Sequence, residues 1–169
     1  WTSGTSHLLS ADSIQGGAAG VRHLCTGWSD GKARSHSVTG LTDPTFTVNF
    51  RTQYFLTMDA LAGGTTTPPD GWFDSAATVP ITATPSTGYV FSSWTGNGLG
   101  SYSGTSNPAN AVMRGPVTET AAFALDTVTI TVRTAPDGYP IYVDGATFTS
   151  PATFNWLAGS THTISADSA

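Results

Sequence analysis

In the stretch "TVTITVR", Val128, Ile130 and Val132 alternate with Thr127, Thr129 and Thr131. That is the period of a strand with one face on a core and one in water. Similar short runs, rich in Thr, Val, Ile, Phe and Tyr, recur throughout. They predict strands at 7–11, 22–28, 35–38, 45–50, 54–60, 78–84, 89–95, 111–114, 117–123, 127–133, 141–143 and 161–165. Gly, Pro, Asn and Asp punctuate them, and "DGWFD", "TGNG", "PDGYP" and "VDGA" read as turns. No window of eleven or more residues keeps a helical apolar period free of Gly or Pro. A short helix fits only near Ser13–Ala19 or in the loop after Trp94. The pattern predicts an all-β chain of small modules joined by Gly, Pro and Asn turns, with little or no helix.

The pattern also repeats. "WTSGTSHLLSADS" (Trp1–Ser13) and "WLAGSTHTISADS" (Trp156–Ser168) share seven of thirteen residues at an offset of 155. Trp94 aligns with Trp28, Thr118 with Thr45, Thr120 with Thr47 and Phe123 with Phe50. Trp72 aligns with Trp156 if one residue is skipped before Thr82-Ala83 meets Ser165-Ala166. Self-similarity of this kind marks a repeat architecture. Three related units follow: residues 1–52 as the C-terminal part of a module, 53–124 as a complete module, and 125–169 as the N-terminal part of another. The two partial units are complementary and would pair as one module, within or between chains. Linkers are expected at Phe50–Gln53 and Ala124–Asp126.

Composition narrows the function. Hydrophobic residues at 38% and aromatics at 11% support a packed core. Charged residues are only 10%, and Thr and Ser fill about a quarter of the chain or more. Six Lys and Arg within a net charge of −5 argue against nucleic acid and against insertion into or binding to an anionic membrane. No run approaches the length of a membrane span. A signal peptide, if one exists, lies outside this segment. Cys25 is the single cysteine and reads as an inert core residue. Low Cys and Lys with abundant Thr, Ser and Gly suits an exported surface protein. No N-x-[ST] sequon is present.

The stretch "YFLTMDALAGGTTTPPDGWFDSAATVPITATPSTGYVFSSWTGNGLGSYSGTSNPANAVMRGPVTETAAF" (Tyr54–Phe123) resembles the divergent InlB B-repeat modules of bacterial and archaeal surface proteins. Residues 128–169, followed by a segment like 1–50, resemble a companion module with a PEGA-like "VDG" hairpin. The resemblance implies extracellular, tandemly arrayed, β-rich and non-catalytic modules with a β-grasp-like fold, the divergent class lacking the helix. It carries over no catalytic residue and no cofactor. The chain departs from the family's flow at Asp74–Thr78 and at His23–Cys25.

The residues themselves offer little chemistry. His7, His23, His36 and His162 lie on strands, far from the three or four convergent ligands of a zinc site. Asp30, Asp43, Asp59, Asp70, Asp74, Asp126, Asp137 and Asp144 mostly neighbour Gly or Pro and read as turn formers. Thr95–Asn110 is polar enough to be weighed as a calcium loop. No nucleophile elbow appears, Glu119 is the one Glu, and no phosphate loop is present. Trp1, Trp28, Trp72, Trp94 and Trp156 recur with the repeat and read as core residues whose N–H groups meet loop carbonyls. Trp72, Phe73 and Tyr102 are the candidate glycan contacts, Trp72 and Phe73 being placed in an exposed turn. The expected function is a non-catalytic extracellular spacer, stalk or adhesin element. Its alternatives are a head-to-tail filament subunit and a carbohydrate-binding accessory module. Neighbouring modules, identical chains or cell-surface glycans are the expected partners.

Overall fold

The computed structural model describes residues 2, 4–40 and 45–166. Trp1, Asp43 and the tail of the second repeat phrase lie outside them. Among the described residues sixteen strands and no helix form. The first four strands are β1 (Ser6–Ser10), β2 (Ile14–Gly16), β3 (Val21–Trp28) and β4 (Ser35–Thr39). The middle seven are β5 (Val48–Ala60), β6 (Gly64–Thr67), β7 (Gly71–Asp74), β8 (Thr78–Pro85), β9 (Tyr89–Asn97), β10 (Ala109–Val112) and β11 (Val117–Leu125). Then come β12 (Thr127–Val132), β13 (Pro140–Val143), β14 (Ala146–Thr149), β15 (Ala152–Leu157) and β16 (Ile164–Ser165).

The middle module has two layers. In one, β5 and β11 run parallel side by side, with β7 antiparallel on the far edge of β5 and β9 antiparallel on the far edge of β11. The other is the three-stranded sheet β10-β8-β6. Inward positions alternate along the strands, as the pleat requires. They place Leu56, Val79, Ile81, Ala83, Trp94, Ala111, Met113, Val117 and Ala121 in one buried core. Tyr54, Met58, Phe73, Phe91, Tyr102 and Phe123 pack around it.

Two expectations are corrected. Ser13–Ala19 is not helical: Ile14–Gly16 pairs with β3, and the following Gly-rich turn suits a hairpin rather than a helix. No helix follows Trp94 either, where β9 continues to Asn97. The linker expected at Phe50–Gln53 lies in the first half of a thirteen-residue strand. β5 pairs with β3 through residues 48–54 and with β11 through 56–60, both on one edge. Residues 53–56 carry β7 on the other edge. The first unit and the middle module therefore share one continuous strand. At the other boundary Asp126 alone separates β11 from β12. No ladder joins the described residues of β12–β16 to β1–β11.

The repeat holds at the level of single hydrogen bonds, with its register shifted by one residue from the sequence alignment. Tyr54 faces Phe73 across the β5–β7 ladder, and Val128 faces Trp156 across β12–β15. Phe73, not Trp72, is the counterpart of Trp156, and no residue need be skipped before Ile81 meets Ile164. The turn that follows is the same in all three units. Gly4, Ala76 and Gly159 have φ of 83°, 66° and 81°. The next residue donates its N–H two positions before that residue: Thr5 to Thr2, Ala77 to Asp74, Ser160 to Leu157. Ala76 N–H reaches Met113 O at 2.8 Å, and Gly4 N–H reaches Gly40 O at 3.0 Å. The ladder β8–β10 is reproduced by β1–β4, and β6–β8 by β13–β16.

Candidate functional site

The three predicted contact residues do not share a surface. Trp72 and Phe73 are neighbours on a strand, so they point to opposite faces. Both lie on β7 rather than in an exposed turn, because "GWFD" finds a ladder partner in β5. Phe73 and Tyr102 pack against the middle core. The Tyr102 hydroxyl accepts the Ser106 N–H at 3.1 Å; hydrogen bonding to the Ser106 side chain, and then to that N–H, holds the phenol below its ordinary pKa. Trp72 is half-buried on the outer face and capped by its neighbours. The Arg22 guanidinium sits 4.5 Å over its ring, and Phe55 meets it edge-on at 5.2 Å. Arg22 Nε donates to Gln53 Oε1, Gln53 Nε2 donates to Asp74 Oδ1, and Arg51 reaches Asp74 Oδ2. Trp72 thus seals the junction between two modules.

The remaining tryptophans follow the core expectation unevenly. Trp94 is 2% exposed, yet its N–H has no protein partner. Trp28 is half-buried and donates to Arg34 O at 3.0 Å. The weighed calcium loop spends its polar groups on the fold. Asn107 accepts the Ala83 N–H at 2.9 Å and donates to Ala83 O at 2.7 Å, and Ser103 Oγ accepts the Gly96 N–H.

The histidines are dispersed, and each has local partners. His23 Nδ1 meets Thr52 Oγ1, and His36 lies between Asp30, Ala33 O and the Trp28 ring. His162 completes an arrangement the sequence did not reveal. Its Nδ1 is 2.7 Å from Asp144 Oδ2 and its Nε2 is 2.8 Å from Ser160 Oγ. This is the order of a Ser-His-Asp triad. The Ser160 hydroxyl also donates to Leu157 O at 2.7 Å. The ring, stacked on Trp156 at 4.0 Å, ties a turn to a hairpin. The first unit repeats the device: Thr5 Oγ1 donates to Thr2 O and meets His7 Nε2 at 2.7 Å. A Ser or Thr two residues before His in both phrases was the available signal. Asp144 also accepts the Thr163 N–H. The bond to His162, and then that N–H, hold its carboxyl below the ordinary aspartate range.

Glu119 is the second unforeseen group. It is wholly buried, and Oε1 accepts the Tyr102 N–H at 2.7 Å while Oε2 has no protein partner. Burial pushes its pKa up, and the Tyr102 N–H opposes that shift. It faces Gly96 across the ladder, beneath the 98–104 loop.

A concavity lies on the first unit. It is a groove of about 810 Å³ lined by Ser10, Gln15, His23, Trp28, Val48 and Phe50, among others.

No curated protein and no solved structure matches the chain. One family model does match, over residues 54–127, and its family is a non-catalytic repeat domain found typically in extracellular or surface proteins. The matched stretch runs from the junction strand β5 to the start of β12 and so covers the two-layered module: residues 54–127 match the model of the divergent InlB B-repeat domain.

Proposed function

We propose that this chain is a non-catalytic spacer or stalk element of a secreted or cell-surface protein, acting by holding successive β modules at a fixed geometry. The observation that supports this reading is the continuity of β5, which belongs to the first unit through residues 48–54 and to the divergent InlB B-repeat domain through 56–60. A strand hydrogen-bonded across a boundary resists bending there far better than a Gly- or Ser-rich linker. The Arg22–Trp72 stack and the Gln53–Asp74 bond brace the same place. Gly20 adds to the contact. Its O accepts the Phe55 N–H, and a Cβ built on it would meet Pro116 at 2.8 Å. A polar, Thr-rich, weakly charged surface suits a part whose task is reach rather than recognition. Nitrogen-15 relaxation is the test. One rotational diffusion tensor should fit the amides of β3 and of β11. Independent tumbling of the two would overturn the reading.

A further inference from the structure

We infer that the groove on the first unit and the open edge of β12 are two halves of one module, and that each takes the other from a second copy of this chain. The inference deepens the repeat reading above and rests on the equivalence of the units.

The groove corresponds to the middle core with its cover removed. Trp28, Val48 and Phe50 line it, at the positions that Trp94, Ala121 and Phe123 hold in the middle module. There, Leu56 of β5 shares one buried cluster with Trp94 and Ala121, and Tyr54 and Met58 of β5 and Phe73 of β7 pack against it. The counterparts of those four are Val128, Ile130, Val132 and Trp156, all on β12 and β15. The counterpart residues therefore exist in this chain, on a sheet that shares no ladder with the groove among the described residues. Exposure agrees. Val128 is 43% exposed, Ile164 is 50% and Phe50 is 37%, whereas Ile81, the counterpart of Ile164, is 0%.

The open edges match as well. β5 carries β7 on one edge and β11 on the other, while among the described residues its counterpart β12 carries only β15. The missing neighbour of β12 is the counterpart of β11, the segment 45–52. Transposing the pairs Thr118↔Thr57 and Ala121↔Ala60 puts Thr45 of one copy opposite Thr131 of the other, and Val48 opposite Thr134, in parallel. Transposing Tyr142↔Ser165 puts Tyr142 opposite Ser10. β16 holds that last place with two residues in its own chain. β1 offers five and brings β4 with it, so β16 gives way to the incoming hairpin.

The test places cysteines at the transposed pair in a Cys25→Ala background. Thr45→Cys with Thr131→Cys should form disulfide-linked dimers and longer head-to-tail chains under mild oxidation. Ser37→Cys with Thr131→Cys, whose partners the register keeps apart, should not. A second measurement covers weak association. In a tandem chain of residues 1–166 followed by 12–169, Thr131→Cys in the first copy and Thr45→Cys in the second should link within one molecule. Amides 129–132 of the first copy should also exchange about tenfold more slowly, or slower still, than in the single chain. Linkage between two copies, in either form, supports the inference, and a single chain that links only to itself overturns it. The inference is also overturned if the Thr45/Thr131 pair links no faster than the Ser37/Thr131 pair in both forms and exchange is unchanged. Loss of rigid tumbling at the β5 junction would sink the spacer reading and leave this register untouched.

Discussion

The middle module and the units flanking it follow one plan, yet the same positions end in different surroundings. Ile81 is fully buried and its counterpart Ile164 is half exposed. Trp94 is buried and Trp28 is only half covered. In each pair the strand, the facing residue and the following hydrogen bonds agree. The alternation of a strand decides which side chains point inward. Whether those side chains are dry depends on a second layer, which the middle module has from β6, β8 and β10. Residue type therefore sets direction, and layer count sets energy.

The largest effect should come from removing the buried half of this comparison. Ile81→Ala deletes a fully buried side chain in a packed core and should cost about 3 kcal/mol. Ile164→Ala at the equivalent place should cost less than about 1 kcal/mol. Urea unfolding followed through the amides of β8 and β16 separates the two. Equal losses would mean that the C-terminal unit is as well packed as the middle one.

The junction comes next. Trp72 lies half-buried between Arg22 and Phe55, so Trp72→Ala should cost about 2 kcal/mol, less than the full burial value for an aromatic. The loss should appear as faster exchange in β3 and the first half of β5, while the middle core keeps its protection. A substitution that instead left stability unchanged and abolished binding to a glycan array would return Trp72 to the role of a sugar platform.

Much of this was legible in the sequence, for reasons that also explain the misses. Val79, Ile81 and Ala83 alternate with polar or turn-forming residues, and β8 was plain. β7 was not. Four residues bounded by Asp and Gly look like a turn, and only the long-range ladder with β5 makes them a strand. The repeat was legible but slipped by one residue, because the shared identity of Trp72 and Trp156 outweighed the inward direction that Phe73 shares with Trp156. The linker at Phe50–Gln53 was misread because a strand serving two modules breaks the simple alternation that marks a strand. Glu119 stands between Val117 and Ala121, so its inward direction could be read. Its tolerance there could not, since it depends on a backbone N–H at Tyr102. Asp144 reaches His162 only through the β13–β16 pairing, which no local pattern announces.

The three equivalent turns make a finer comparison. Gly4 and Gly159 occupy a left-handed conformation without strain, and Ala76 occupies it with a Cβ. Ala76→Gly should therefore stabilise the middle module by up to about 1 kcal/mol, and Gly159→Ala should destabilise the C-terminal unit by a similar amount. Differential scanning calorimetry reads both. If Ala76→Gly lowers the melting temperature, the lost freedom of the unfolded chain outweighs the relieved strain, and the turn is not the shared constraint it resembles.

The smallest effects are those of pH, and they should have opposite signs in the two regions. Glu119 has a folded pKa raised by burial. Its stabilising share is complete below the ordinary glutamate range and is lost as pH rises through the folded value. Asp144 has a folded pKa lowered, first by its bond to His162. Its share is complete above the ordinary aspartate range and is lost as pH falls through the folded value. Raising the pH above the ordinary glutamate range should therefore loosen the middle module, and lowering it below the ordinary aspartate range the C-terminal unit. Glu119→Gln should flatten the loss on raising the pH, keeping an acceptor for the Tyr102 N–H without a charge to bury. Asp144→Asn should flatten the acid limb, seen in the Trp156 indole resonance that reports His162 stacked on it. If Glu119→Gln alters the acid limb instead, the buried carboxyl is ionised in the folded chain, and its orphaned Oε2 has found a proton donor from solvent.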